Sequence, residues 1–138
     1  MGRILAIDYG KKRIGLAVSD PLKMIANALE TISPQDFFNF VSSYFSKEKV
    51  ESIVIGQPKR LHGEDSSIEK DILGFIKKLE KKYPQLKIVR MDERFTSKIA
   101  FQTMIDSGIG KKARQNKATI DKISATIILQ DYLNTLTH

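Results

Sequence analysis

Apolar positions crowd the chain between Arg3 and Tyr9 and again between Arg13 and Ser19, with only Gly10-Lys11-Lys12 between the two runs. Two strand-forming runs around a short glycine-containing link predict a β-hairpin. A third strand is expected from Met24 to Ile32, broken from the second by Asp20-Pro21. Ser33-Pro34 then has the composition of a helix start, with Ser as cap, Pro in the first turn and Asp36 spaced for a capping box. Phe37, Phe38, Val41, Tyr44 and Phe45 continue at helical spacing. Glu51 to Gly56 is a compact, buried strand, and Gly56-Gln57-Pro58 opens a polar loop that runs to Ser67. Ile68, Ile72, Phe75, Ile76 and Leu79 predict an amphipathic helix with a lysine-rich outer face, ended by Tyr83-Pro84. Leu86 to Met91 reads as a fifth strand, apolar enough on both parities that alternation does not separate its faces. Thr96 or Ser97 can cap a short helix through Ile105, and a last, mostly apolar helix is expected from about Ala118 to Leu136.

The order βββαβαβαα predicts an α/β fold, a mixed five-stranded sheet with helices on both faces. Right-handed crossovers would set the fourth strand beside the first. Ligands on such sheets sit at the carboxyl ends of the strands, near a switch in strand order. Asp8, Gly56-Gln57 and Asp92-Glu93 all fall at such ends. At 138 residues the chain is expected to form one domain, 1–138.

Composition narrows the chemistry. Hydrophobic residues make up 41% and charged residues 28% of the chain, as in a soluble globular protein. With no cysteine, disulfides, thiolate metal sites and cysteine nucleophiles are excluded. A carboxylate stands within the first ten residues and no long apolar run follows, so neither a signal peptide nor a membrane span is expected and a cytoplasmic location fits. Ala6 occupies the place where N-myristoylation would want Ser or Thr. Twenty-three basic residues against 16 acidic ones give a net charge of +7, which suits a polyanionic partner, above all nucleic acid.

Asp8 is a carboxylate in an otherwise apolar strand, and burying it unpaired would cost several kcal/mol. Its strand-end position beside a glycine turn would let a metal or phosphate approach; the plainer reading is an Asp that starts the turn. Asp121 is expected in the first turn of the last helix, where the helix dipole favours a negative charge. Positions 121, 124, 125, 128 and 132 share one helical face, and the small residues Ser124 and Ala125 would let that face approach the sheet. Asp8, Glu93 and Asp121 together suit a hard divalent cation, Mg²⁺ or Mn²⁺. Asp92 competes with Glu93 for the third place. His62 and His138 belong to no ligand-spaced pair. Basic residues flank the same strand ends: Lys11, Lys12 and Arg13; Lys59 and Arg60; Arg94; and Lys111, Lys112, Arg114 and Lys117. Each run alone would be a solvated loop, but four at one edge suit phosphates. Gly108-Ile-Gly110 mimics a dinucleotide fingerprint but follows a helix instead of the first strand, so that reading fails.

Five segments resemble the YqgF (RuvX) family: Ile7-Asp8-Tyr9-Gly10, Arg13 to Asp20, Val54 to Pro58, Asp92 to Ser97, and Asp121 to Ala125 followed by Ile128-Leu129-Gln130. The resemblance covers essentially the whole chain in order. It implies an RNase H-like fold related to Holliday junction resolvases and a bacterial nuclease maturing the 5′ end of pre-16S rRNA, hence a part in ribosome biogenesis. It also implies that Asp8, Glu93 and Asp121 are the metal-binding catalytic acids, with Arg13, Thr96 and Ser97 supporting substrate or site geometry. Two departures, Ser124-Ala125 in place of paired alanines and the loose basic segment Arg114 to Lys117, bear on substrate contacts and leave every carboxylate in place.

The first expectation is thus a metal-dependent nuclease on structured RNA, with Lys11, Lys12, Arg13, Arg94, Thr96, Ser97, Lys111, Lys112 and Arg114 on the substrate. Resolution of branched DNA would use the same acids, and a homodimer is an open geometry for either. A nucleotide-binding half like that of actin or a sugar kinase would need a second such domain. A non-catalytic RNA-binding assembly factor would make the acids dispensable.

Overall fold

The structure, a computed structural model, describes residues 2–57, 67–92 and 117–136. Its strands are β1 (Arg3–Tyr9), β2 (Ile14–Ser19), β3 (Ala26–Ile32), β4 (Val50–Gln57) and β5 (Lys87–Asp92). Its helices are α1 (Phe37–Lys47), α2 (Ser67–Lys82) and α3 (Lys117–Leu136), with a 3-10 turn at Pro34–Asp36 leading into α1. The expected short helix from Thr96 or Ser97 to Ile105 lies outside the described residues.

One five-stranded sheet runs in the order β3-β2-β1-β4-β5. The β1–β2–β3 meander is antiparallel, while β4 pairs parallel with β1 and β5 parallel with β4. The fourth strand therefore lies beside the first, as right-handed crossovers require. Parallel pairing brings the carboxyl ends of β1, β4 and β5 to one edge of the sheet.

The two residue parities of β1 bury into different layers. Leu5 and Ile7 join Ile14, Leu16, Ile53 and Ile55 in a core closed by α1 and α2 through Phe37, Val41, Ile72, Phe75 and Leu79. Ile4 and Ala6 join Ala17 and Val54 in a second core, closed by Ala125, Ile128, Leu129, Tyr132 and Leu133 of α3. Every one of these side chains is at least nine-tenths buried. Small residues on both sides of the second interface let α3 lie close over β1 to β4. Ser124 and Ala125 are buried there, as the shared helical face predicts.

Three expectations shift for identifiable reasons. Strand β3 starts at Ala26 instead of Met24, because the Asp20 carboxylate accepts the backbone N–H groups of both Met24 and Ile25, at 2.8 and 2.9 Å. Those amides are spent on the turn, which also places Lys23 at a φ of 60°. Ser33 makes no side-chain cap to the backbone; its hydroxyl donates to the Asp36 carboxylate at 2.9 Å, and the 3-10 turn intervenes before α1. The fifth strand is an edge strand whose faces do separate. Val89 and Met91 pack on the α3 core, whereas Ile88 packs on the α1/α2 core.

Candidate active site

Asp8 shares the parity of Ile4 and Ala6, so the pleat sets it on the α3 face of the sheet, half-buried at the carboxyl end of β1. Its register partner on β2 is Gly15. On the other side Ile7 pairs with Ile55, and the next residue along β4 is Gly56. The central carboxylate thus stands between two strand positions that carry no side chain. A bulky residue at either would occupy the space a cation or phosphate needs next to Asp8. Oxygen donors at a half-open strand end are the chemistry that fits Mg²⁺ or Mn²⁺.

Gly10 keeps the hairpin link tight. A Cβ added there would stand 2.6 Å from the Arg13 carbonyl oxygen, so the turn closes only around a glycine. Lys11 and Lys12 are exposed at this tip, and Arg13 is half-buried where β2 begins. The Lys11 ammonium reaches the Asp71 carboxylate of α2 at 3.8 Å, a solvent-exposed pair.

Asp121 occupies the described start of α3, one helical turn before Ala125 and on the same helical face as Ala125, Ile128 and Tyr132. It is not in the first turn, which holds no acid, because the helix begins one residue earlier than the apolar pattern indicates, at Lys117. A first-turn dipole contribution is therefore not its reason to be there. Position 92 pairs with Gln57 and has the parity of Ile88 and Arg90, opposite to that of Val89 and Met91 on the α3 side. Glu93, Arg94, Thr96, Ser97, Lys111, Lys112 and Arg114 lie outside the described residues, as do Lys59 and Arg60. Among the described residues no group of three or more His, Asp or Glu forms a metal cluster.

A clasp behind the site escaped the sequence reading. The Arg90 guanidinium donates to both Glu69 carboxylate oxygens, at 2.8 and 3.3 Å. It also donates to the carbonyls of Ile55 at 3.3 Å and Gly56 at 3.0 Å. One side chain of β5 thereby ties the end of β4 to the first turn of α2. The fork of a guanidinium is suited to this bidentate grip. The available signal was weak: a lone Arg in an apolar strand, and a Glu in the first turn of a helix.

At the opposite edge Glu51 accepts the Lys23 ammonium at 2.6 Å and the Gly2 amide at 3.0 Å. The Lys23 and Gly2 donors hold the Glu51 carboxyl below its usual range.

A family model described as "RuvX: Holliday junction resolvase" matches residues 2–135. The chain belongs to the RuvX family. A RuvX relative from Flavobacterium psychrophilum is 56% identical over 133 residues, covering 96% of this chain and 97% of its own. One from Flavobacterium johnsoniae is 54% identical over 134 residues, 97% of each chain. One from Bacteroides thetaiotaomicron is 53% identical over 133 residues, 96% of each chain. All three carry the name "Putative pre-16S rRNA nuclease". Among solved structures, Thermus thermophilus RuvC in complex with a Holliday junction substrate matches with a TM-score of 0.61 over 99% of this chain and 98% of its own. A second Thermus thermophilus RuvC structure gives 0.57 over 97% and 95%. At 14% identity the likeness to RuvC concerns the fold alone, and it makes this RuvX chain RNase H-like.

Proposed function

We propose that this RuvX protein is a divalent-metal-dependent nuclease that hydrolyses phosphodiester bonds at the 5′ end of pre-16S rRNA, and so acts in ribosome biogenesis. The observation that carries the reading is the placement of Asp8: a carboxylate on the α3-facing parity, at the strand-end edge, between Gly15 and Gly56. The choice of RNA rests on the relatives at 53–56% identity and their shared name.

Asp8, Glu93 and Asp121 would hold Mg²⁺ or Mn²⁺. Such ions supply charge that activates a water nucleophile and stabilises the leaving oxygen of a phosphodiester. Asp92 competes with Glu93 for the third place. Lys11, Lys12 and Arg13 at the hairpin tip bind substrate phosphates, joined by Arg94, Lys111, Lys112 and Arg114. Thr96 and Ser97 support substrate or active-site geometry. Arg90 and Glu69 tie the end of β4, through β5, to the first turn of α2.

Branched DNA is the second reading, favoured by the description of the matching family model and by the junction-bound RuvC whose fold the chain shares. The test is cleavage of two labelled substrates, a pre-16S leader RNA and a four-way DNA junction, each with Mg²⁺, Mn²⁺ or EDTA. Metal-dependent RNA cutting without junction cutting supports rRNA processing. Junction cutting alone replaces it with resolution, and binding without cutting of either refutes the nuclease.

A further inference from the structure

On the side of the sheet opposite Asp8, a groove of about 510 Å³ opens between the 3-10 turn, the start of α1 and the middle of α2. Its floor is Phe75, nine-tenths buried. Its walls are two half-buried rings, Tyr9 with its centroid 4.9 Å from that of Phe75 and Phe38 at 5.8 Å. Lys70 and Lys78 stand exposed on its rim. The Lys82 ammonium lies 5.3 Å from the centre of the Phe38 ring.

Two further features make this more than an ordinary crevice. Gly74 borders the groove in the middle of α2, where glycine is less favourable than alanine. Nothing lies within 4 Å of where its Cβ would be, so no packing among the described residues requires it. What it provides is an unobstructed wall. The second feature is continuity. Tyr9 directly follows Asp8, and successive residues of a strand point to opposite faces, about 3.8 Å apart along the chain. One strand of substrate crossing the carboxyl edge at β1 can therefore meet Asp8 on one face and the ring-lined groove on the other.

We propose that this groove is a second nucleic-acid subsite, which takes unpaired nucleobases of a single-stranded substrate segment against Tyr9 and Phe38 while Lys70 and Lys78 meet the adjoining phosphates. Aromatic walls with cations alongside are the chemistry that binds single strands without reading sequence, because every base has a π-face. The volume falls in the range of small-molecule pockets and accommodates bases. Its charge balance excludes an anion-rich wall: Asp71 is the one acid among the described lining residues, and Lys11 is paired with it. The proposal rests on the nucleic-acid reading above and adds a place for a single-stranded flank beside the cut.

The test is equilibrium binding of a fluorescent single-stranded RNA in EDTA, where no cleavage intrudes. The proteins compared are wild type, Lys70→Gln/Lys78→Gln, Gly74→Glu and Gly74→Ala. Gly74→Glu places bulk and a negative charge in the groove from an open helix position, and thermal melting of each variant checks the fold. Expected are a roughly tenfold or greater loss of affinity for Gly74→Glu, and for the double lysine variant a salt slope reduced by about 1.4, two phosphate contacts at ~0.7 each. Gly74→Ala, which adds a single methyl to that wall, should lose less affinity than Gly74→Glu. Equal binding by folded Gly74→Glu and wild type overturns the subsite while leaving the nuclease reading intact. Failure of wild type to bind any RNA or DNA overturns both. A 4-thiouridine-labelled RNA gives a second readout: crosslinks at Tyr9 or Phe38 support the subsite, and crosslinks confined to the Lys11–Arg13 tip contradict it.

Discussion

Replacing Glu69 by Gln removes the charge that Arg90 grips, and the cost follows from how that pair is covered. Its best contact is 2.8 Å, with side-chain exposures of 20% for Arg90 and 25% for Glu69. Fully exposed pairs contribute ~0–1 kcal/mol, and breaking fully buried ones costs ~3–5 kcal/mol. A bidentate pair three-quarters covered falls between, at about 2 kcal/mol for Glu69→Gln. Arg90→Met should cost more, roughly 3 kcal/mol, because the carbonyls of Ile55 and Gly56 lose their donors as well. Urea unfolding of the two single variants and the double variant measures the pair directly. With a slope of ~1–3 kcal/mol/M, a loss of 2 kcal/mol moves the midpoint by about 1 M. The expected coupling energy is ~1–2 kcal/mol, and kcat should fall in both single variants because the clasp fixes the ends of β4 and β5. A coupling under about 0.3 kcal/mol, no larger than the scatter between independent sites, would refute the clasp as a structural tie.

Gly10→Ala should destabilise by roughly 1–3 kcal/mol, since its methyl meets the Arg13 carbonyl and the turn must open. Gly74→Ala should stabilise α2 by ~0.5–1 kcal/mol, so thermal melts of the two alanine variants should move in opposite directions. The amides of Ile25 and Met24 hold the Asp20 carboxyl below its ordinary 3.8. Because its folded pKa lies below the unfolded one, Asp20 contributes stability that is complete above about pH 4 and lost as pH falls through the folded value. Side-chain carboxyl chemical shifts should give a midpoint under 3.8, and Asp20→Ala should flatten this acid limb in unfolding experiments. Ala125→Leu should cost at least ~1–3 kcal/mol by lifting α3 from Ala6 and Ala17, read as a lower urea midpoint.

Elements whose signals are local were legible in the sequence. The first strand matches residue for residue, and the fourth strand beside the first follows from one rule of handedness. Asp8 was placed at its strand end by the hairpin alone. What the sequence concealed depends on partners far along the chain. The Arg90–Glu69 tie spans 21 residues. That Gly15 and Gly56 flank Asp8 is visible only in the register of the sheet. The parity of position 92 likewise needed the partition of β5 between two cores. The helical face that names Asp121 is local, but its place in the first turn is not: the helix begins one residue earlier, at Lys117.

The central claim is that Asp8 holds the catalytic cation. The most direct measurement is single-turnover cleavage of the pre-16S leader RNA against Mn²⁺ concentration, for wild type and for Asp8→Asn verified as folded by its melting curve. The account predicts saturable, metal-dependent cutting in wild type and a loss of at least a hundredfold in Asp8→Asn, with RNA binding retained. Undiminished cutting by folded Asp8→Asn, with the same metal dependence, would contradict it.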